Sequence, residues 1–131
     1  MAGAPISDAS IGNLKRFDMA TTPEGRVKDK VKATLMRYRA YFHMNTTFGF
    51  GASGAPDFDV CYRGCFVGIE TKAGSNKLAP LQYRRLALIH GAGGVALVIN
   101  ETNVDLVATV LDMIAADGAC PDMSNYERFA P

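Results

Sequence analysis

The clearest pattern of hydrophobic and polar positions is a helical one in the first third of the chain. Val27, Val31, Leu35 and Tyr38 follow one another at steps of four, four and three residues, which places them on one face of a helix. Residues 21–24, Thr-Thr-Pro-Glu, predict its start, because they offer a threonine cap, a proline in the first turn and a glutamate placed for a capping box. The other sides of this predicted helix carry basic residues: Arg26, Lys28, Lys30, Lys32, Arg37 and Arg39.

Three strands are predicted in the segment that follows. Residues 41–47 are rich in aromatic and β-branched side chains, which favour strands. Residues 57–62 and 65–72 form two further β-rich runs, and the Arg63-Gly64 dipeptide between them predicts a two-residue hairpin turn. A bulge near this turn would shift the pairing of the two strands by one residue.

Two helices and one strand are predicted in the second half of the chain. A helix opens at Pro80 and runs to about residue 90, before a glycine-rich turn. Val95–Ile99 is an uninterrupted aliphatic run, typical of a parallel strand that is buried on both faces. Asn103 is expected to cap a last helix that stops at Gly118, so the predicted order is α-β-β-β-α-β-α.

The length of 131 residues predicts a single domain. We expect an arm or short helix over residues 1–20, the domain over residues 21–118 and a turn-rich, peripheral tail over residues 119–131. The longest aliphatic run has five residues, whereas a membrane span needs roughly 20. Asp8 precedes any apolar stretch, which disfavours a secretory signal. These features predict a cytoplasmic protein without a membrane partner.

Cysteine usage favours the same compartment. The three cysteines, Cys61, Cys65 and Cys120, cannot all pair, and no set of cysteine and histidine has zinc-site spacing. We expect reduced thiols, with Cys61 and Cys65 packed beside the hairpin turn. A chain of this size, with 48% hydrophobic residues, can build a core without such crosslinks.

The net charge of +1 conceals an uneven distribution. Residues 26–85 carry a formal charge of +7, and residues 101–131 carry −5. A basic middle favours a polyanionic partner on one surface. A solvated helix rich in lysine and arginine would give the same count, so charge alone leaves both interpretations open.

The predicted hairpin gathers acidic residues on one face. With a two-residue turn, Asp57 lies opposite Glu70, and side-chain alternation adds Asp59 and Lys72 to the same face. Opposed carboxylates repel each other unless a cation lies between them or one is protonated. Magnesium is typically held by one or two carboxylates together with substrate phosphate, and Lys72 is within reach of its water ligands. The other face carries apolar residues that we expect in the core: Phe58, Val60, Tyr62, Val67 and Ile69.

These residues resemble a known nuclease signature. Pro56-Asp57, followed after 13 residues by Glu70-Thr71-Lys72, is similar to the PD-(D/E)XK motif. More narrowly, GASGAPDF at 51–58, GCFVGIETK at 64–72 and LAPLQ at 78–82 resemble the VRR-NUC (virus-type replication-repair nuclease) branch. The resemblance covers roughly residues 22–100. It implies a restriction-endonuclease-like αβββαβ core with a mixed central sheet flanked by helices, to which a C-terminal helix is added here.

The resemblance also implies roles for individual residues. Asp57, Glu70 and the Thr71 carbonyl would hold one or two Mg²⁺ or Mn²⁺ ions, and Lys72 would orient or activate the attacking water. Gln82 would lie nearby, and Glu24 matches the acidic residue of the family's first helix; the alternatives are a surface amide and a capping residue. Asp59 has no usual counterpart in the family, and Ala79 departs from the serine or threonine that relatives carry there. Basic residues would hold neighbouring phosphates: Arg26, Lys30, Lys77, Arg84 and Arg85.

The implied activity is that of a metal-dependent endonuclease acting on DNA. No separate targeting domain is visible, which favours branched substrates such as Holliday junctions or flaps, in phage-type replication or recombination. A homodimer is expected, with the apolar last helix or the tail as its interface, in the host cytoplasm if the gene is a phage gene. The alternatives are a sequence-specific restriction-type endonuclease and a non-catalytic nucleic-acid-binding module.

Overall fold

The structure, a computed structural model, describes residues 22–45 and 54–123. Within these residues, three helices and four strands follow one another in the predicted order. The arm over residues 1–20, the end of the first predicted strand and most of the tail lie outside the described residues. The elements are α1 Pro23–Arg37, β1 Tyr41–Met44, β2 Phe58–Tyr62, β3 Cys65–Thr71, α2 Pro80–Gly91, β4 Val95–Ile99 and α3 Leu106–Asp117.

The four strands form one mixed sheet in the order β1-β2-β3-β4. The β1–β2 and β2–β3 pairs are antiparallel, whereas the β3–β4 pair is parallel. The predicted hairpin register is confirmed, since Phe58 pairs with Ile69 and Asp59 with Gly68. Both turn residues have positive φ, +49° at Arg63 and +83° at Gly64, as in the tight turns that suit the twist of a hairpin.

Helices cover both faces of the sheet. Apolar residues of β2, β3 and β4 pack in one core with α1 and α3, and Phe58, Val60, Val67 and Ile69 are buried there as predicted. On the opposite face α2 passes over β3 at Gly68, where an added Cβ would lie 2.5 Å from Ile89 Cδ1. Ile89 belongs to the last turns of α2, so this close approach packs the C-terminal part of the helix against β3. The α/β architecture with a flanked mixed sheet is therefore confirmed.

Two predicted helix starts are corrected. Thr22 caps α1 by accepting the Gly25 N–H at 2.9 Å, so Glu24 lies one position too early for a capping box and pairs with Lys28 instead. Asn103 does not cap α3, which begins at Leu106. Its side chain accepts the N–H of Asn100 and donates to Val98 O, because these backbone groups lose their sheet partners where β4 ends.

The described part of the tail is not peripheral. Met123 is 2% exposed and belongs to the core. Cys120 forms a disulfide with Cys65, so the expectation of reduced thiols is wrong for this pair. Cys61 is a free cysteine, but it is exposed rather than packed. Among the described residues, no helix combines the length and hydrophobicity needed to cross a bilayer.

Candidate active site

The site begins where β2 starts and β3 ends. Asp57 immediately precedes β2, and its Oδ2 accepts two hydrogen bonds from Thr71, from the backbone N at 2.8 Å and from Oγ1 at 2.6 Å. The backbone of Asp57 is held as well, because its carbonyl accepts the Asn45 N–H at 2.9 Å. These bonds fix the carboxylate of Asp57 and leave Oδ1 free of them.

Glu70 lies next to this carboxylate and is almost completely buried. Its Oε2 accepts a hydrogen bond from Gln82 Nε2 at 2.9 Å and lies 3.7 Å from Lys72 Nζ. Its Oε1 is buried and has no hydrogen-bond partner among the residues that the structure describes. A buried polar atom in that condition is unfavourable, and such atoms are rare enough in proteins that each requires an explanation.

Burial and charge act together on Glu70. Loss of solvent raises the pKa of this carboxyl to about 8, with the negative charge of Asp57 as the next cause and Lys72 opposing both. In the protein without a bound cation, Glu70 therefore keeps a proton near neutral pH. Asp57 and Glu70 are held by hydrogen bonds at a point that suits a positive ion. The charge of such an ion would favour the ionised form of the Glu70 carboxyl.

Gln82 connects α2 to Glu70. Its Oε1 accepts the Ala79 N–H at 2.8 Å, while its Nε2 donates to Glu70. The first bond is one half of a capping box; the other half, in which a serine or threonine at position 79 would accept a backbone N–H of the first turn, is not available to alanine. The helix α2 still begins at Pro80 as predicted. The predicted site residue is thus placed against the acidic pair, and the structure does not leave it as an isolated surface amide.

The first helix adds two charged groups. Lys28 Nζ lies 3.5 Å from Asp57 Oδ1 and 3.8 Å from Glu24 Oε2, so the structure brings Glu24 to the border of the site through a lysine. Sequence reasoning did not single out Lys28. Its spacing of four residues from Glu24 was the available signal, but it was obscured by the other basic residues on the same helix.

Asp59 has a different environment. Its Oδ2 accepts a hydrogen bond from Asn45 Nδ2 at 2.9 Å, and the same nitrogen donates to Pro56 O at 2.8 Å. Asp59 therefore helps to fasten the residue before Asp57 to the end of β1. This contact accounts for an acidic residue at a position that the family does not usually use.

The predicted phosphate-binding residues are all exposed, at three places on the surface. Arg26 and Lys30 line a cavity of about 320 Å³ with Glu101, on the helix that also carries Lys28. Lys77 lies in the loop before α2. Arg84 and Arg85 lie on α2 itself, shortly after Gln82.

The site fits a hard divalent cation. It offers Asp57 Oδ1, which accepts no hydrogen bond from Thr71 and lies 3.5 Å from Lys28 Nζ, together with the buried Glu70 Oε1 and the nearby backbone of Thr71. In the described segments no three His, Cys, Asp or Glu side chains form a closed cage. Mg²⁺ does not require such a cage, because it keeps several waters and usually takes only one or two protein carboxylates.

Comparison with known proteins supports the fold. No protein-family model matches the chain, and no curated protein matches its sequence. A solved structure described as a VRR_NUC domain is similar in three dimensions, with a TM-score of 0.56 and 26% sequence identity. The match covers 70% of this chain and 96% of that structure. The family resemblance found in the motifs and the likeness found in the coordinates agree, and they assign this chain to the VRR-NUC fold.

Proposed function

We propose that the protein is a metal-dependent nuclease of the PD-(D/E)XK type that hydrolyses DNA phosphodiester bonds. The VRR_NUC likeness supports the nuclease assignment. The observation that carries metal dependence is Glu70 Oε1, which is buried with no hydrogen-bond partner in the described part of the chain. Asp57 lies beside this carboxyl, and Lys72 Nζ lies 3.7 Å from its other oxygen. A purely structural carboxylate in this position would be expected to have a hydrogen-bond donor for each oxygen.

Each site residue has a distinct task in this proposal. Asp57, Glu70 and the Thr71 carbonyl would hold Mg²⁺ or Mn²⁺. When bound, the ion supplies positive charge beside the scissile phosphate, where negative charge increases as water attacks. Lys72 holds the water in position by hydrogen bonding, and Gln82 keeps the Glu70 carboxylate in place. Five exposed basic residues hold the flanking phosphates and thereby set the register of the nucleic acid: Arg26, Lys30, Lys77, Arg84 and Arg85.

The test compares Glu70→Gln with Asp117→Asn, an exposed acid at the end of α3 that serves as the matched control. We expect Glu70→Gln to lose at least about a hundredfold in Mg²⁺-dependent cleavage, because it removes a charged ligand. Binding of DNA, measured by fluorescence anisotropy, should persist. Asp117→Asn should cleave like the parent protein, and EDTA should abolish its cleavage. Cleavage that continues in EDTA, or in Glu70→Gln at the parent rate, would contradict the proposal.

The choice of DNA is a finer part of the proposal. We infer an endonuclease selective for branched DNA, since the described domain contains no separate base-reading module. Duplex, flap, single-stranded and four-way substrates should be incubated with Mg²⁺ and with Mn²⁺. Faster cleavage of the branched substrates is expected. Cleavage at one base sequence of plain duplex would favour the restriction-type alternative, and binding without any cleavage would favour the non-catalytic module.

A homodimer and a cytoplasmic location, in a host cell if the gene is a phage gene, also belong to the proposal. The last helix cannot supply the dimer interface by its apolar face, because Val107, Val110, Leu111 and Ile114 are buried in the core of the same chain. Sedimentation with and without DNA measures the oligomeric state. A monomer under both conditions would remove the dimer from the proposal and leave the nuclease assignment intact.

A further inference from the structure

Lys28 brings a positive charge to the one Asp57 oxygen that Thr71 does not occupy. Its Nζ is 3.5 Å from Asp57 Oδ1 and 3.8 Å from Glu24 Oε2. The two carboxylates come from different elements, so the ammonium connects the first turns of α1 to the start of β2. The side chain of Lys28 is partly buried, with 34% of it exposed, whereas Lys30 and Lys32 on the same helix are exposed.

The hydrogen bonds of Asp57 explain why its contact with Lys28 affects the binding of a cation. Oδ2 already accepts two hydrogen bonds from Thr71, so Oδ1 is the oxygen that Asp57 has left for a cation. Lys28 faces that same atom. Any divalent ion on Asp57 must therefore share the oxygen with an ammonium group or displace it, and like charges at such distances repel each other.

The net charge of the whole site also favours one bound divalent ion over two. With every group ionised, its three carboxylates and two ammonium groups have a formal charge of −1. One divalent ion brings this charge to +1, which suits a phosphate, whereas two ions bring it to +3. Asp59 is left out of this count, because its Oδ2 accepts a hydrogen bond from Asn45 and the structure shows no contact between Asp59 and the groups counted here. The groups counted are Glu24, Asp57, Glu70, Lys28 and Lys72.

We propose that Lys28 is a built-in second cation of this site: it weakens binding of the first divalent ion, excludes a second one, and supplies positive charge next to the phosphate. This inference rests on the proposed nuclease function and narrows it to a site with one divalent ion. It predicts a combination of effects that no general loss of folding would give. Neutralising Lys28 strengthens metal binding and weakens cleavage at the same time.

The experiment titrates the full chain with Mn²⁺ and follows free Mn²⁺ by electron paramagnetic resonance. The parent protein should bind one ion per chain. Lys28→Gln should bind Mn²⁺ about fivefold more tightly, as expected for removing one partly screened positive charge. At saturating Mn²⁺ it should nevertheless cleave DNA at least about tenfold more slowly, since each 1.36 kcal/mol of lost transition-state stabilisation is tenfold in rate. Lys28→Arg should keep Mn²⁺ affinity near that of the parent.

Lys32→Gln is the matched control, because it removes the same charge one turn further along α1 from an exposed position. It should change neither affinity nor cleavage. Two bound Mn²⁺ ions in the parent protein, or unchanged or weaker affinity in Lys28→Gln, would overturn the role of Lys28. A parent protein that binds no Mn²⁺ at millimolar concentration would instead overturn the proposed function. The two failures are thus distinguishable without any cleavage measurement.

Discussion

The least favourable electrostatic environment in the site is that of the Glu70 carboxyl. Within residues 22–45 and 54–123 its Oε1 has no hydrogen-bond partner, and its burial next to Asp57 raises the pKa of the carboxyl to about 8. In the unfolded chain the same group titrates near 4.5. Between these two values the native state keeps a proton that the unfolded state releases, so stability must fall as pH rises through that window.

Glu70→Gln tests this dependence, because glutamine mimics the protonated carboxyl. In EDTA, the free energy of unfolding of the parent protein should fall, relative to the variant, by up to about 1.4 kcal/mol per pH unit between pH 4.5 and 8. Urea unfolding at pH 5, 6.5 and 8 provides the measurement. At pH 8 the variant should be the more stable protein. Parallel pH profiles would show that Glu70 is already ionised without metal.

Sequence reasoning reached some of these residues and missed others for a definite reason. Asp57, Glu70 and Lys72 follow from strand alternation, which is local and regular. Lys28 and the Thr71 hydroxyl do not, because their roles depend on how α1 and β3 meet at Asp57. Contacts between elements that are distant in the chain leave no periodic trace in the sequence.

Among the helices and strands, α2 is the one whose position depends on close contacts with glycine residues. It approaches β3 at Gly68 and meets the loop before β2 at Gly54, where φ is +81° and an added Cβ would lie 2.6 Å from the Leu81 backbone. Leu81 directly precedes Gln82, which holds Glu70. The seating of one helix end on a glycine therefore positions a side chain in the candidate active site.

Gly54→Ala should destabilise the protein and reduce cleavage, whereas Gly118→Ala, at φ +68° with open space around it, serves as the control. Both substitutions place alanine in the left-handed region, at a cost of about 1–2 kcal/mol. Gly54→Ala should cost at least about 1–3 kcal/mol more, because backbone must move to relieve the overlap. Chemical denaturation and Mg²⁺-dependent cleavage measure the two effects. Equal losses of stability in the two variants would show that the loop before β2 can move to accommodate the added Cβ at no extra cost.

Element boundaries were predictable where a local signal decides them. The hairpin register follows from Arg63-Gly64 and alternation, and β4 follows from its aliphatic run. The start of α3 was placed too early because Asn103 can cap a helix, but here it bonds to the backbone at the end of β4. A capping residue has several possible partners, and the tertiary structure selects among them.

At the scale of the whole molecule, the disulfide ties the hairpin to the chain after the last helix. Cys65 and Cys120 are 55 residues apart, and their bond encloses β3, α2, β4 and α3. Met123 then enters the core just beyond it. The sequence could not predict the pair, because three cysteines permit several pairings and only the folded chain brings two Cα atoms within 5.0 Å.

Reduction of the Cys65–Cys120 disulfide should therefore lower stability, whereas a change at Cys61 should not. Cys120→Ser should lose about 4 kcal/mol of unfolding free energy under oxidising conditions, the amount expected for opening a loop of this length. Dithiothreitol should bring the parent protein to a similar value and leave the variant unchanged. Cys61→Ser, which alters the exposed free thiol, should behave like the parent in both conditions. If dithiothreitol leaves the urea midpoint of the parent unchanged, the crosslink is absent in solution.

The partnerless oxygen of Glu70 also bears on how such a gene would decay. Selection for folding alone would favour a neutral residue at position 70, because the charged one weakens the native state. In a chain that no longer needed a cation-binding carboxylate at this point, one substitution at position 70 would therefore be enough to gain stability. Such a chain would be expected to lose the acid early.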